Sequence, residues 1–306
     1  MTRKIGLLHS GQKNMFTDPI SKLKSALPAD VELVEDYAED DIGKLEDDAD
    51  DLVADSAILL IVAAGGPQSA IAARNSTAVE PDVNKRKPVV FTTVFDPVQS
   101  GLVDTLDVPV GNLTGMAGQT SELDPERLAL LKDFMSQAKS PTNKIGVLMN
   151  PDRSHLEQQF KALAAKARGL GLQVVPRRTH NAKGIKRAFN HFKKQNVFGA
   201  VVTADAFFNN NRDEVIAAAA QARIPTIYQW REFAKAGGLI SYGPSLLDAY
   251  EQAGKYAKRI LDSNESPSTM PCSKPNSYEL VVNKATATSL GLTVPSTIGG
   301  KPVIVI

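Results

Sequence analysis

A chain of 306 residues, 42% hydrophobic and 23% charged, has the length for two domains and the composition of an ordinary globular protein. Its 35 Lys and Arg against 34 Asp and Glu leave a net charge of +1, so no global field favours nucleic acid or an anionic membrane. The single cysteine, Cys272, excludes an internal disulfide and a cysteine-based metal cluster.

The elements alternate in two halves. Residues 5–9 read as an apolar strand ending in Ser10-Gly11-Gln12, 18–27 as a helix, 31–34 as a strand and 42–54 as a helix with an acidic face. Residues 57–63 form the next strand, ending in Ala64-Gly65-Gly66-Pro67, followed by a helix over 68–76 and a strand over 88–94 closed by Phe95-Asp96-Pro97. The pattern then restarts: helix 124–138, strand 144–149 ending in Asn150-Pro151, helix 155–170, strand 172–176, a basic helix 183–195 and a strand 200–203. After a helix over 212–222, residues 224–228 make a strand that runs into Gln229 and Trp230. A short helix (232–236) stops at Gly237-Gly238, and a strand over 239–242 is broken by Gly243-Pro244. Strands apolar throughout and separated by helices imply parallel sheets covered on both faces. The expectation is an α/β protein of two Rossmann-like, doubly wound lobes, with ligands held beyond the C-terminal ends of the strands.

No apolar run reaches the roughly twenty residues of a membrane helix. The chain enters a strand almost at once, leaving no room for the apolar region and cleavage site of a signal peptide. That start is compatible with a cytosolic protein or with an exported one whose leader has been removed. The eleven carboxylates between Glu35 and Asp55 and the basic residues from Arg177 to Lys194 read as solvated helix faces, and the acidic run lacks the glycine spacing of a calcium loop. The four histidines, His9, His155, His180 and His191, show no zinc-type spacing, and neither a dinucleotide fingerprint nor a P-loop is present. No metal, cofactor or catalytic residue is therefore expected. The strand ends carry hydroxyls, amides, aromatics and two acids, a set suited to holding a ligand rather than transforming it.

Four segments carry a family resemblance: 88–103 with its DPV-x-x-G-LV motif at Asp96, Asn112-Leu-Thr-Gly115-Met, 224–243 with AGGL-x-SYG at its end, and 276–295 closing in NKATATSLGLTVP. Together they resemble the ABC-transporter substrate-binding proteins of type I periplasmic-binding-protein fold, a family that includes binders of tryptophan and related amino acids. The resemblance implies a three-segment hinge, with crossings near 114–119, near 242–245 and within 265–277. The lobes would then be 1–116 plus 244–268, and 117–243 plus 269–306. It also implies a monomeric, extracytoplasmic solute receptor serving an ABC permease and its ATPase, without nucleic acid.

On this reading the first-lobe contacts are Ser10, Gln12, Gly66, Pro67, Gln68, Ser69, Thr93, Phe95 and Asp96. The second-lobe contacts are Asn150, Asp205, Phe207, Tyr228, Trp230 and Tyr242. For an amino acid, the backbone N–H groups and the Ser69 hydroxyl at a helix N-terminus would take the carboxylate, Asp205 or Asp96 the ammonium, and Phe95, Phe207, Tyr228 and Trp230 the side chain. Plainer roles stand beside these: Asp96, Asn150 and Asp205 as caps or turn formers, Phe207 and the tyrosines as core. Two other classes remain open, a ligand-sensing domain of a signalling system and a two-lobed α/β enzyme, the latter wanting paired acids or cysteines.

Overall fold

The stretch Arg3–His9 forms the first strand, β1, because from Ile5 onward every side chain is buried, as a strand covered on both faces requires. The computed structural model describes the chain except Met1, Asp40, Asp96, Gln99, Val110, Gln119, Thr120, 138–141 and 153–155, and except the side chains of Met15, Phe95, Gly118, Ser121 and Ala206. It divides into two compact units, Met1–Gln119 with Pro244–Ser277, and Thr120–Gly243 with Tyr278–Ile306, so the chain passes between them three times.

In the first unit β1 is followed by α1 (Thr17–Ala26), β2 (Val31–Tyr37), α2 (Ile42–Ala54), β3 (Ile58–Ala64), α3 (Pro67–Thr77), β4 (Val89–Phe95) and β5 (Leu113–Gly118). The strands lie in the order β2-β1-β3-β4-β5, all paired in parallel. The acidic run is a solvated helix face. Asp41 caps α2 by accepting from the Lys44 N–H at 3.1 Å, Leu45, Ala49 and Leu52 point into the core, and Glu46, Asp47, Asp50 and Asp51 face out. The last strand of this sheet is Leu113–Gly118, and the chain passes to the second unit directly after it, beside the crossing expected near 114–119. Gly115 holds φ at +153° with the Phe91 carbonyl so close that a Cβ would lie 2.1 Å from it, so only glycine fits.

The second unit runs through α4 (Asp124–Met135), β6 (Lys144–Met149), α5 (Leu156–Gly169), β7 (Gln173–Arg178), α6 (Ala182–Lys194), β8 (Gly199–Val202), α7 (Ala206–Asn210), α8 (Arg212–Ala222), β9 (Thr226–Tyr228), α9 (Arg231–Lys235) and β10 (Ile240–Pro244). The chain then returns to the first unit as α10 (Leu246–Ser263), and ends in the second with β11 (Tyr278–Val282), α11 (Lys284–Ser289), β12 (Thr297–Ile298), β13 (Lys301–Pro302) and β14 (Ile304–Val305). The second main sheet has the order β14-β11-β10-β9-β8-β6-β7. Its core gathers Leu128, Leu131 and Phe134 of α4 with Ile145, Val147, Val201, Ile227 and Ile240 of the strands.

Three local expectations change. The strand expected to stop at Gly243-Pro244 continues through both, since Gly243 lets β10 pass close to the Gln229 carbonyl. The loop after β8 becomes the short helix α7 because the Asp205 carboxylate accepts from the Phe207 N–H at 2.8 Å and caps it. Residues 269–277, expected with the second lobe, stay in the first unit: Thr114 donates to the Met270 carbonyl at 2.7 Å, the Ala117 N–H donates to the Ser273 carbonyl, and the Ser273 N–H donates to the Gly115 carbonyl. No helix among the described residues is long and apolar enough to cross a membrane.

A methyl group on Gly243 would lie 1.9 Å from the Gln229 carbonyl oxygen, whereas one on Gly169, at the end of α5, meets nothing within 4 Å. Gly243→Ala is therefore expected to lower stability by about 2–3 kcal/mol, while Gly169→Ala raises it by about 0.5 kcal/mol, both read from chemical denaturation.

Candidate functional site

In each main sheet the chain begins on one strand, moves to one side, and returns past its starting point to build the other side. The loops after the two strands flanking that reversal diverge and leave a crevice at the carboxyl ends of the strands. In the first unit the reversal lies between β1 and β3, and in the second between β6 and β8.

At the first switch point the Ser10 N–H donates to the Ala64 carbonyl at 3.2 Å, tying the two loops together. Gly65 adopts φ +87° under Ser10 and His9, and a Cβ there would approach the Ser10 hydroxyl to 2.6 Å. Gly66 and Pro67 lead into α3, with Pro67 in the first turn, where the missing N–H costs nothing and the other backbone N–H groups lack intrahelical partners. The Ser69 hydroxyl is already used. It is wholly buried and donates to the Ala64 carbonyl at 2.5 Å, so it locks the turn and leaves anion binding here to backbone N–H groups. Ser10 is buried, Gln12 and Thr93 are half-buried and Gln68 is exposed, while Asp96 and the Phe95 side chain lie outside the described residues.

His9 holds this loop from below. Its Nδ1 accepts from the Gly11 N–H at 3.0 Å, which leaves the proton on Nε2, 3.0 Å from the Tyr250 hydroxyl of α10. Phe16 packs on the imidazole at 4.3 Å between centroids and Tyr37 at 5.6 Å. Burial in this aromatic box drives its pKa down to about 3, so the ring is a neutral structural peg.

At the second switch point the Asn150 amide donates to the Asp205 carboxylate at 3.0 Å, and the Asn150 Oδ1 accepts from the Asp152 N–H at 3.1 Å. Asn150 and Asp205 thus form a bridge across the reversal as well as caps. Gln229, which the aromatic segment conceals at the sequence level, joins them. Its amide nitrogen donates to the Asp205 carbonyl at 3.3 Å and to Asn209 Oδ1, and its Oε1 is buried with no hydrogen-bond partner among the described residues. Its signal in the sequence is a lone amide between two strand-end aromatics.

The aromatics divide. Phe207 is half-buried and packs edge-on against Phe208. Trp230 keeps 8% of its surface exposed at the start of α9. Tyr228 is 1% exposed and stacks on Phe233 at 4.8 Å between centroids, and burial raises its pKa; it is a core residue of this unit. Tyr242 stacks on Tyr278 at 6.1 Å with the Lys301 ammonium 5.0 Å over its ring, and its carbonyl accepts from the Arg127 Nε at 2.6 Å.

Two α/β units on largely parallel sheets, each with strand-end loops at a reversal of strand order, have the type I periplasmic-binding-protein fold. The chain belongs to the ABC transporter substrate binding protein family, whose model matches residues 30–306. Its members are substrate-binding proteins rather than enzymes and work outside the cytoplasmic membrane. A tyrosine-binding protein of Clostridioides difficile (strain R20291) is 27% identical over 233 residues, which are 76% of this chain and 63% of that protein. The chain therefore spans 63% of the length of this curated relative. Among solved structures, an ABC domain in complex with L-Trp from Streptococcus pneumonia superposes with a TM-score of 0.79 at 22% identity, covering 98% of this chain and 100% of that one. A ligand-free, open substrate-binding protein with adhesive properties from Clostridium difficile has a TM-score of 0.69 at 23% identity, covering 99% of both chains.

Because the folded pKa of His9 lies below the unfolded value near 6.5, its contribution to stability is full at neutral pH and is lost as pH falls from that value towards about 3. Between pH 7 and pH 5 the chain is expected to lose about 2 kcal/mol through this residue. Denaturant titrations at both pH values check it: His9→Gln should shrink the difference by that amount, and an unchanged difference would show that the ring does not titrate as described.

Proposed function

We propose that this chain is the solute receptor of an ABC importer. It would act outside the cytoplasmic membrane, take an aromatic L-amino acid as its ligand, and deliver it to a permease driven by an ATPase. The reading rests on the family match together with one observation, a loop cluster of amides, hydroxyls and acids at the switch point of each unit. The ligand class is drawn from the tyrosine-binding relative and agrees with the chemistry of these loops.

In this proposal the backbone N–H groups around Gly66, Pro67 and Gln68 receive the ligand carboxylate, without the engaged Ser69 hydroxyl. Asp205 receives the ammonium, held in place by Asn150 and by the first turn of α7. Gln229 offers its unpartnered Oε1 to a polar hydrogen of the ligand, and Phe207 and Trp230 take the ring. Ser10, Gln12 and Thr93 line the first-unit side. A ligand gripped from both units favours the closed arrangement, and that arrangement is what the transporter reads. Driving the population from about 1:99 to 99:1 requires about 5.5 kcal/mol of differential affinity, less than the roughly 8 kcal/mol of a micromolar binder.

At a concentration about one hundred times its dissociation constant, the right ligand stabilises by about 2.7 kcal/mol, which raises the melting temperature by about 5–10 °C. Thermal-shift assays with L-tyrosine, L-tryptophan and L-phenylalanine are expected to show this rise for at least one of them. L-Tyrosine or L-phenylalanine should also change the emission of Trp230, the only tryptophan. Asp205→Asn keeps the cap but should weaken binding at least tenfold. Silence with all three amino acids would refute the ligand assignment.

A further inference from the structure

The basic segment from Arg177 to Lys194 is more than a solvated helix face. It borders a groove of about 570 Å³ along the edge strand β7 and helix α6, outside the reversal between β6 and β8. α6 buries Ile185, Ala188, Phe189 and Phe192 against its own sheet, and Arg187, His191 and Lys194, four and three residues apart, form a single stripe of the helix beside the groove. Arg177, from β7, contributes a fourth basic group to the same lining.

Among the described residues only part of this charge is paired with carboxylates. On the rim, Arg178 pairs with Glu157 at 2.8 Å and His180 with Asp152 at 3.2 Å. Arg177, Arg187 and Lys194 have no carboxylate partner among the described residues. Arg177 points its guanidinium at His191 instead, 2.6 Å from Nδ1. A guanidinium can only donate, so Nδ1 accepts, the imidazole is neutral, and its proton sits on Nε2 as a further donor. Burial, then the charges of Arg177 and Lys194, hold the His191 pKa below its ordinary value. Three cations and an N–H donor around one concavity await an anion that brings several charges at once. A lone carboxylate would neutralise one of them, whereas tetrahedral oxyanions suit forked guanidinium donors. The volume is that of a small-molecule site rather than a flat docking face.

We propose that this groove binds a soluble, phosphate-bearing multivalent anion, and that it does so independently of the solute site at the strand ends. Isothermal titration of the full chain with inorganic pyrophosphate at low ionic strength tests it. The expected result is saturable one-to-one binding that sodium chloride at matched ionic strength does not reproduce. Arg187→Ala combined with Lys194→Ala is expected to weaken it at least tenfold, and so is Arg177→Ala alone. Arg187 and Lys194 are exposed, so for their double variant an unchanged melting temperature and an unchanged amino-acid thermal shift would accompany the loss, while half-buried Arg177 also gives up its bond to His191 and is read by the amino-acid thermal shift alone. Co-sedimentation with phosphatidylglycerol vesicles supplies the second arm. Absence of saturable pyrophosphate binding, binding indifferent to the substitutions, or binding to vesicles alone would each overturn the proposal.

Discussion

The second unit is organised around one buried charge. Arg127 of α4 is fully enclosed, pairs with Asp124 one turn earlier at 2.5 Å, and donates through Nε to the carbonyl of Tyr242. Gln159 of α5 donates to the other oxygen of Asp124, so two helices and one strand meet on this one ion pair. Burial pulls the Arg127 pKa down and Asp124 pulls it back, and the pair persists in a dry core because both Asp124 oxygens and the Arg127 Nε and Nη1 are bonded. The strand it holds is β10, whose last residues stand at the boundary between the units. Side-chain chemistry in the core thus fixes where the chain leaves the second unit.

The two switch points solve one problem with different materials. In the first, a neutral histidine in an aromatic box and a serine hydroxyl bonded to the backbone hold a glycine turn, leaving main-chain donors for a ligand. In the second, side-chain amides of Asn150 and Gln229 fasten an acid, Asp205, by its carboxylate and its carbonyl. One loop set offers partial positive charge and the other a full negative one, which is the polarity that a zwitterion presents in reverse.

Much of this was legible from residue type and spacing. Apolar runs of strand length separated by amphipathic helices announce two largely parallel sheets, and helices 42–54 and 212–222 have the same limits in sequence and structure, the first capped by Asp41 and the second ended by left-handed Arg223 ahead of Pro225. The strand beside the first crossing was harder, since Leu113–Gly118 carries two glycines and a threonine and shows no strand pattern until its pairing with β4 is seen. The aromatics were harder still. Tyr228, Trp230 and Tyr242 sit at strand ends in similar company, yet their packing partners, one local and one distant in sequence, decide which of them is core: Phe233 claims Tyr228 and Tyr278 claims Tyr242. Ser69 has the composition of a ligand contact and the geometry of a turn lock, a distinction carried by a single carbonyl five residues earlier.

The returning segment beside β5 bears on how this chain is made. The outer edge of β5 is bridged by Met116 to Ser273, and β10 is followed in its sheet by β11, which begins at Tyr278. Each sheet is therefore finished by residues from the last sixth of the sequence. On a ribosome the first unit would emerge with β5 uncovered, an open strand edge able to pair with any other extended chain, and would stay so through most of synthesis. The interleaving of the two units makes the whole chain, rather than either half, the unit of safe folding.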